Sequence, residues 1–372
     1  MKIIHLISGL GSGGAENTLY KIVTNDFKND HIIISLQKGG VLKKKLKINN
    51  ILTYTLNFKF SYITFFEFFK LIKIIRKTKP DLIQSWMYKS NFLTIFIKFF
   101  FRLDIYWNIR ASFYKKLYSP SSKIIIYISA LASYIIPKKI IYCSYESIKN
   151  HEKIFFCKKK SFFIANGFDV LHKINFEKDI KILNNYKLTK ENIIFCMIAR
   201  FDPHKNHLGL VNSFINIIKK NKNVKLILIG KNVNLINSNL YEVVRKNNLS
   251  QHILLFDQMN DLEQIYQIID FHILLSFSES FPNVVAETMS KGIPNISSNV
   301  GLASDIINKY GWIINNANNF ELEKAINDAI NITKNKDEYL KLKYNCIKNI
   351  SDNFNLTNMI NNYHKVWVDH ND

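Results

Sequence analysis

The chain has few cysteines, few acidic residues and no apolar run long enough to cross a membrane. Its four cysteines form no C-x-x-C pair and have no close histidine partner, which argues against both a zinc site and a disulfide framework. The uncharged run at residues 124–136 is shorter than the roughly 20 residues that a membrane-spanning helix needs. The apolar run at residues 2–7 leads directly into a glycine-rich loop, so we expect no secretory signal there and a cytoplasmic protein.

The scarcity of acidic residues makes the protein strongly basic. It has 51 lysines and arginines against 29 aspartates and glutamates, which gives a formal charge of +22 at pH 7. Such a charge favours an anionic partner, for example a phosphorylated substrate, an anionic membrane surface or a nucleic acid. A lysine-rich composition throughout the chain explains the same charge without any partner. With 372 residues, of which 47% are hydrophobic, the chain is long enough for two domains that each bury a core.

Short apolar strands alternate with helical stretches along the whole chain. The strands predicted in the first half are residues 2–7, 31–36, 81–86, 104–110, 139–144 and 161–165. Those predicted in the second half are residues 193–199, 224–229, 252–256, 271–276, 294–298 and 311–314, with helices at 208–220, 261–269 and 320–332. This alternation predicts an α/β protein of two doubly wound, Rossmann-like domains, in which ligands bind beyond the carboxyl ends of the strands.

A glycine-rich loop, GLGSGGAEN at residues 9–17, follows the first predicted strand and precedes a helix. Gly9, Gly11 and Gly14 have the G-x-G-x-x-G spacing of a dinucleotide-binding loop, whose backbone N–H groups bind phosphate. That fingerprint also requires an acidic residue at the end of the second strand, where this chain has Ser35-Leu36-Gln37-Lys38. The sequence therefore argues against a nicotinamide enzyme, and leaves a loop for another phosphate or a tight turn.

Two glutamates flank the start of a helix in SFSESFPNVVAETMSKGIP, residues 276–294. Pro282 favours the first position of a helix, which Gly292 and Pro294 then end. Glu279 therefore lies in the loop before this helix, and Glu287 lies inside it. The helix N-terminus favours an anion, whereas the carboxylates favour hydroxyl groups. A nucleotide sugar, with hydroxyl groups at both ends and phosphate in the middle, fits this pattern; two solvated surface charges are the alternative.

Two cations follow the strand predicted at residues 193–199, in the sequence ARFDPHKNH at 199–207. Arg200 and Lys205 are expected at the carboxyl edge of the second sheet, before a helix capped near Asn206. Two cations at that edge are well placed to neutralise a diphosphate, whereas a single one is more often a surface charge.

These residues together resemble the retaining glycosyltransferases of family 4, which are two-domain enzymes of the GT-B fold. The resemblance rests on Arg200, Lys205 and Asn206, on Glu279 and Glu287 around Phe281-Pro282-Asn283-Val284, on Gly13-Gly14-Ala15-Glu16, on Asn166-Gly167-Phe168-Asp169, and on NVGLASDII followed by Gly311-Trp312. It covers essentially the whole chain and implies two Rossmann-like domains that face a central cleft. The expected bounds are 1–170 for an acceptor-binding domain, 171–350 for a nucleotide-sugar-binding domain and 351–372 for a C-terminal helix that crosses back to the first domain.

The resemblance also implies roles for individual residues. Arg200 and Lys205 match the residues that bind the donor diphosphate and stabilise the leaving group. Glu287 matches the residue that holds the nucleotide ribose, and Glu279 matches the one that contacts the donor sugar and is often assigned a catalytic role. The remaining donor-binding residues implied by the resemblance are the backbone of Phe281, Pro282, Asn283 and Val284, and the loop at Gly13 and Gly14.

Metal chemistry is not expected of this chain. No Asp-x-Asp motif occurs in it, and fixed cations with helix N–H groups stabilise the growing charge of a diphosphate without a metal ion. The resemblance implies a retaining transfer by front-face attack, with neither metal nor other cofactor. Relatives commonly have a first-domain histidine that contacts the donor sugar, but the matching region here is Trp107-Asn108-Ile109-Arg110. Asn108 and Arg110 are therefore the candidate replacements.

Aromatic and basic residues are interleaved at residues 58–79, 92–103 and 114–123. This suits helices that lie at an anionic membrane surface, with ordinary core-facing helices as the alternative. The acceptor expected from the resemblance is a saccharide linked to polyprenyl diphosphate, used in O-antigen, capsule or lipo-oligosaccharide assembly at the cytoplasmic face of the inner membrane. A UDP-sugar donor is expected over a GDP-sugar because it is more frequent in the family.

Three other functions fit parts of the sequence. A nucleotide-sugar epimerase of the same fold would consume its substrate without an acceptor. A glycosidase would use Glu279 and Glu287 as acid and nucleophile and would need no nucleotide. A nucleic-acid-binding protein explains the basic charge but leaves the two glutamates and Arg200 without a role, so no nucleic-acid partner is expected.

Overall fold

The computed structural model describes residues 1–58, 65–114, 118–170, 176–259, 261–315 and 319–368. Parts of the aromatic and basic segments (59–64 and 115–117) and the last residues of the expected C-terminal segment (369–372) lie outside the described residues. The chain divides into two compact units, of which the first comprises Met1–Gly167 and the segment from Leu356 onward, and the second comprises Phe168–Asn355. These boundaries lie a few residues from the expected ones at 170 and 350.

The first unit is built on a parallel sheet of seven described strands. They are β1 (Lys2–Ile7), β2 (Asp30–Ser35), β3 (Leu52–Thr55), β4 (Leu82–Trp86), β5 (Asp104–Ile109), β6 (Lys139–Tyr142) and β7 (Ser161–Phe163). Their order across the sheet is β3-β2-β1-β4-β5-β6-β7. The helices between them are α1 (Gly14–Asn25), α2 (Val41–Ile48), α3 (Phe65–Thr78), α4 (Met87–Phe100), α5 (Pro120–Ala132) and α6 (Tyr145–Glu152).

The second unit repeats this plan with six described strands. They are β8 (Ile193–Ile198), β9 (Val224–Ile229), β10 (Ile253–Phe256), β11 (Phe271–Leu274), β12 (Asn295–Ser298) and β13 (Gly311–Ile314), in the order β10-β9-β8-β11-β12-β13. Its helices are α7 (Ile180–Asn185), α8 (His207–Lys220), α9 (Ser238–Lys246), α10 (Glu263–Tyr266), α11 (Asn283–Ser290), α12 (Ala303–Ile307), α13 (Asn319–Ile332) and α14 (Lys336–Asn353). The helix that follows, α15 (Leu356–Val368), packs in the first unit.

Each sheet is buried on both faces because its strands are almost continuously apolar. Successive side chains of a strand point to opposite faces, so Ile4 and Leu6 of β1 enter one core while Ile3 and Ile7 enter the other. The second of these cores includes Trp367 of α15. The predicted class of two parallel-sheet, Rossmann-like domains is therefore confirmed.

Two elements differ from the prediction. The sequence does not predict β3, a short, half-exposed strand that lies at the edge of the described sheet and pairs with β2. The helix predicted at residues 261–269 is limited to Glu263–Tyr266. It ends there because the backbone N–H of Asp270 already donates to Ile194 O of β8, at 2.8 Å, and draws the chain into β11.

The strand order places one crevice in each unit. Connections from β8 lead outward to β9 and β10, whereas β11, β12 and β13 lie on its other side, so the order reverses between β8 and β11. The same reversal occurs between β1 and β4 in the first unit. Ligands of open α/β sheets bind at such switch points, beyond the carboxyl ends of the strands.

Candidate active site

The loops that follow β8 and β11 are joined at the switch point of the second unit. The backbone N–H of Phe277 donates to His204 O at 2.8 Å, which ties the loop after β11 to the loop after β8. Next to this bond, the Lys205 ammonium donates to the Glu279 carboxylate. The two side chains are 19% and 17% exposed, so the ion pair is partly shielded from water and lies at the surface of the crevice.

Local turn chemistry places Lys205. Asp202 begins a 3₁₀ turn at Pro203–Lys205, and its Oδ1 accepts from the His204 backbone N–H at 2.9 Å. Asn206 then adopts a left-handed backbone, at φ +56°, and occupies the N-cap position of α8. Asn206 therefore occupies the expected N-cap position, but its side chain makes no capping hydrogen bond. This tight sequence of turns directs Lys205 across the sheet edge toward β11.

Arg200 has a different environment from Lys205. Its side chain is 66% exposed, and its Nε and Nη2 each lie 3.0 Å from Asp202 Oδ2. The Asp202 carboxylate thus holds Arg200 as well as capping the turn that places Lys205. A solvent-exposed ion pair of this kind is weak, so Arg200 is free to move to a bound anion.

The Glu279 carboxylate is oriented by its own loop. Ser276 Oγ donates to Glu279 Oε1 at 2.8 Å, so the carboxylate is held by a hydroxyl as well as by Lys205. Gly301, in the loop after β12, packs directly on this backbone. A Cβ atom at residue 301 would lie 2.7 Å from Glu279 O and even closer to Ser280 O. Glycine is therefore required at 301 both for its φ of +56° and for this close approach.

We expect Gly301→Ala to lower the free energy of unfolding of the second unit by about 1–3 kcal/mol, because it adds a steric conflict to a strained φ. Gly39→Ala is the matched control, since φ there is +81° but no atom lies within 4 Å of the added Cβ. Urea unfolding of both variants measures the difference. If both variants lose the same free energy of unfolding, the loop at Glu279 moves to accept the added Cβ atom at no energetic cost.

Helix α11 presents Glu287 on its exposed face. The helix starts at Asn283 with Pro282 at its N-cap position, and Glu287 lies inside it, as the sequence predicts. Burial and the neighbouring Glu287 carboxylate together raise the pKa of the Tyr266 hydroxyl, so the carboxylate lies beside that ring. Asn283 and Val284, in the first turn, are half-buried at the crevice.

Phe281 has a packing role in addition to its backbone position. Its buried ring stacks on Phe168, with the ring centroids 6.0 Å apart, and meets Phe354 edge to face at 6.1 Å. The side chain therefore anchors the loop between Glu279 and α11 in the core of the second unit. Because the ring is packed in this way, Phe281 can contact a ligand only through its backbone.

In the first unit, the glycine loop leads into α1 as expected. Gly13 is the N-cap residue of α1 and Gly14 is its first residue. The Glu16 carboxylate folds back against Gly13, where it occupies the N-terminal end of this helix. An anion that binds at Gly13 and Gly14 must therefore displace this side chain.

Asn108 and Arg110 lie together at the end of β5, and both contact helix α15. Asn108 Nδ2 donates to the Tyr363 hydroxyl at 2.6 Å, and the Arg110 guanidinium donates to the same hydroxyl. Arg110 Nη1 also donates to Asn166 Oδ1 at 2.8 Å. Asn108 is fully buried, whereas Arg110 is half-buried, so Arg110 is the more accessible of the two candidates for a sugar contact.

The sequence misses the residues that join the site together. Ser276 stands three positions before Glu279, and the Asp202-Pro203 pair is a common turn start, so both carry a weak local signal. No local sequence signal marks the packing of Gly301 on the loop at Glu279, or the hydrogen bond from the Phe277 N–H to His204 O. Within the described ranges, no group of three or more histidine, cysteine, aspartate or glutamate side chains could hold a metal ion.

Comparison with known families gives a match over the second unit. Residues 178–349 match the family described as glycosyl transferases group 1. This range contains Arg200, Lys205, Glu279 and Glu287.

Two curated relatives share sequence with the chain. An uncharacterized glycosyltransferase of Methanocaldococcus jannaschii is 28% identical over 252 residues, which cover 62% of this chain and 58% of that protein. The UDP-Gal:alpha-D-GlcNAc-diphosphoundecaprenol alpha-1,3-galactosyltransferase of Escherichia coli is 25% identical over 185 residues, which cover 49% of this chain and 47% of that protein. The chain thus spans about half the length of these curated relatives.

A solved structure resembles the chain over nearly its full length. The Anabaena protein HepE in complex with UDP has a TM-score of 0.84 at 19% identity, with 99% of both chains covered. The same protein in complex with UDP-glucose has a TM-score of 0.83. At this identity the likeness establishes the fold, which is GT-B.

Proposed function

We propose that this chain, whose second unit belongs to the glycosyl transferases group 1, moves a sugar from a UDP-sugar to a saccharide acceptor with retention of the anomeric configuration, as in family 4. The observation that carries the proposal is the meeting of Lys205 and Glu279 beyond the ends of β8 and β11. This pair offers a cation for phosphate and a carboxylate for sugar hydroxyls within one crevice. UDP is preferred to GDP because the Escherichia coli relative is named for UDP-Gal and the Anabaena structures hold UDP and UDP-glucose.

In the proposed step, the bond between the anomeric carbon and the phosphate oxygen breaks, and its electron pair stays on UDP. The acceptor hydroxyl oxygen forms the new bond to the anomeric carbon from the same face, and its proton passes to the departing phosphate oxygen. Lys205 and Arg200 turn from Glu279 and Asp202 to the diphosphate, whose charge grows in the transition state. The positive charge of the two side chains stabilises the leaving group.

The two glutamates divide the hydroxyl groups of the donor between them. Glu279, fixed by Ser276, accepts hydrogen bonds from the transferred sugar. Glu287, exposed on α11, accepts them from the ribose. The start of α11 at Asn283 and Val284 lies between the two carboxylates in sequence and supplies its helix dipole to the diphosphate. In the first unit, Arg110 is proposed as a further sugar contact, and Gly13 and Gly14 as a phosphate-binding loop.

The transfer is proposed to need neither a metal ion nor another cofactor. Lys205 and Arg200 support this, because they supply at the diphosphate the positive charge that a divalent ion supplies in other transferases.

The proposed acceptor is a saccharide on polyprenyl diphosphate, and the proposed place of action is the cytoplasmic face of the inner membrane. Support comes from the Escherichia coli relative, which is named for a diphosphoundecaprenol-linked GlcNAc acceptor. An acceptor held in a bilayer requires an enzyme that reaches the membrane surface.

UDP is expected to raise the melting temperature of the protein, and EDTA is expected to leave that rise unchanged. At 100 times its dissociation constant, a ligand adds about 2.7 kcal/mol to the free energy of unfolding. Glu287→Ala should lose the shift because the ribose loses its acceptor. Glu242→Ala, at an exposed carboxylate of α9, is the control that should keep it. GDP, ADP and NAD serve as comparison ligands.

Each outcome of this titration bears on one part of the proposal. A shift with GDP alone would correct the nucleotide, and loss of the shift in EDTA would overturn metal independence. No shift with any nucleoside diphosphate would contradict the donor site itself. Consumption of the UDP-sugar without any acceptor would favour an epimerase.

A further inference from the structure

Helix α5 presents its large apolar side chains to solvent. Ile124, Tyr127, Ile128 and Leu131 are exposed and have the spacing of a single helix face, which Ile135 continues beyond the helix. Leu131 is 69% exposed and Ile135 is 79% exposed. The buried face of α5 carries the residues Ile126, Ser129 and Ala130, two of which are small. An apolar stripe at this spacing normally faces a core, so the outward stripe of α5 indicates an apolar partner.

Phenylalanines of α3 and α4 extend this surface. The ring centroid of Phe68 lies 6.4 Å from that of Phe96 and 5.8 Å from that of Phe100, which joins α3 to α4, and α4 packs in turn against α5. Around this joint, Phe66 is 84% exposed and Phe99 is 82% exposed. We call the exposed apolar side chains of α3, α4 and α5 the apolar face. Its size exceeds the single exposed residues that are normal for a protein surface.

The helices that carry the apolar face are basic. Helix α3 has four lysines and arginines, α4 has two and α5 has one, whereas Glu67 is the only acidic residue of the three helices. A second copy of this chain docked on the face would bring two such sets of positive charge together, which is unfavourable. An anionic surface that also offers hydrocarbon complements both the charge and the apolar side chains.

We propose that the apolar face is the surface by which the first unit docks on an anionic lipid bilayer. The inference deepens the proposed function, since it names the part of the chain that would bring the enzyme to a lipid-linked acceptor. Leu131, Ile128 and the phenylalanines enter the boundary between headgroups and acyl chains, and the lysines pair with lipid phosphate.

The helices lie on the bilayer and do not cross it. Helix α5 has 13 residues, a length of about 20 Å, against a hydrocarbon core of about 30 Å. Among the described residues no helix is both long and apolar enough to span a membrane. Helices with one apolar face and flanking basic residues bind in the plane of the interface.

Vesicle flotation of the full chain tests the proposal. We expect the protein to float with vesicles that contain phosphatidylglycerol, to float poorly with pure phosphatidylcholine, and to be released at high salt. The double variants I128S/L131S and F66S/F99S should each bind at least about tenfold more weakly, since each removes two side chains that become buried. The control I236S/F320S replaces two exposed apolar residues of the second unit and should bind like the unaltered chain.

The results separate the possible occupants of the face. Binding that depends on anionic lipid, and that only the face variants lose, supports the proposal. Absence of flotation, or equal flotation of all variants, overturns it, as does a dimer seen by light scattering that I128S/L131S abolishes without any vesicle binding. Because the mixture contains no nucleotide sugar, failure here leaves the UDP titration unaffected, and the two proposals fail separately.

Discussion

Lys205→Ala is expected to lower the turnover of sugar transfer by about 10²–10³-fold, or about 2.7–4 kcal/mol, with a smaller change in the KM of the UDP-sugar. The reason is that the Lys205 ammonium is already ordered by Glu279 at the switch point and therefore costs little to align when the diphosphate leaves. A group that acts on charge as it develops affects turnover more than substrate binding. Arg200→Ala should fall at the lower end of this range, because Arg200 is exposed and must first leave Asp202.

The measurement is the rate of UDP release in the presence of acceptor, with Lys220→Ala at the exposed end of α8 as the control. The melting temperature of each variant must accompany it, since Lys205→Ala leaves Glu279 without its cationic partner. If turnover is unchanged in both Lys205→Ala and Arg200→Ala, neither residue binds the diphosphate. A loss of turnover that follows a loss of folding would assign Lys205 a structural role only.

Much of this site follows from the sequence because it depends on strand ends. The sequence predicts β8 and β11, and so it predicts that Lys205 and Glu279 lie at one edge of the second sheet. It does not predict that they touch, because 74 positions separate them and their contact depends on β8 and β11 being neighbours. Strand order is a property of the whole sheet, and local patterns carry little information on it.

Local sequence patterns also do not predict which face of helix α5 is buried. Residues 124–136 carry no charged side chain, so no charged stripe marks an outer face of this segment. The small residues Ser129 and Ala130 face inward because α5 packs closely there, which leaves the larger side chains outside. Edge strand β3 escapes prediction for the opposite reason, since its four residues are too polar and too exposed to form an apolar run.

The first-domain contacts show that the sequence alone does not reveal which polar residues of a strand are held by distant parts of the chain. The resemblance implies a sugar contact at Asn108, whereas its side-chain amide donates to the Tyr363 hydroxyl, 255 positions away. A second network joins His5 to His31 at 2.9 Å and His31 to Asp26 at 3.0 Å, and no motif marks it. Asn108 and His5 both lie on strands, and the fold shows that each has an internal hydrogen-bond partner.

Acidification from pH 7 to pH 5 is expected to lower the free energy of unfolding of each unit by several kcal/mol. Burial lowers the pKa of His151 in the first unit to about 4, and that of His272 in the second unit to about 4. In the unfolded chain both titrate near 6.5, so between these values the unfolded state binds protons that the folded state does not. Each histidine therefore removes about 1.4 kcal/mol for each pH unit. Its contribution is fully present above pH 6.5 and is lost as the pH falls toward 4.

The hydrogen bonds explain why these rings stay neutral. His151 Nδ1 donates to Ser147 O at 2.7 Å while its Nε2 accepts from the Tyr88 hydroxyl at 2.7 Å, so a second proton would remove this acceptor. His272 Nδ1 donates to Asn295 Oδ1 at 2.6 Å, and its Nε2 is buried without a hydrogen-bond partner in the described part of the chain. Burial likewise lowers the pKa of His207 to about 4 and lowers that of His5.

Urea unfolding at a series of pH values from 7.5 to 5.0 measures the effect. His272→Gln should reduce the pH slope of the second unit by about 1.4 kcal/mol per pH unit and leave the first unit unchanged. Asp26 does not interfere. Burial raises its pKa, but hydrogen bonds from His31 and Asn29 outweigh burial and hold it below the ordinary value, so its contribution is lost only below about pH 4. A stability that is constant from pH 7 to pH 5 would mean that the buried rings accept protons without loss of the fold.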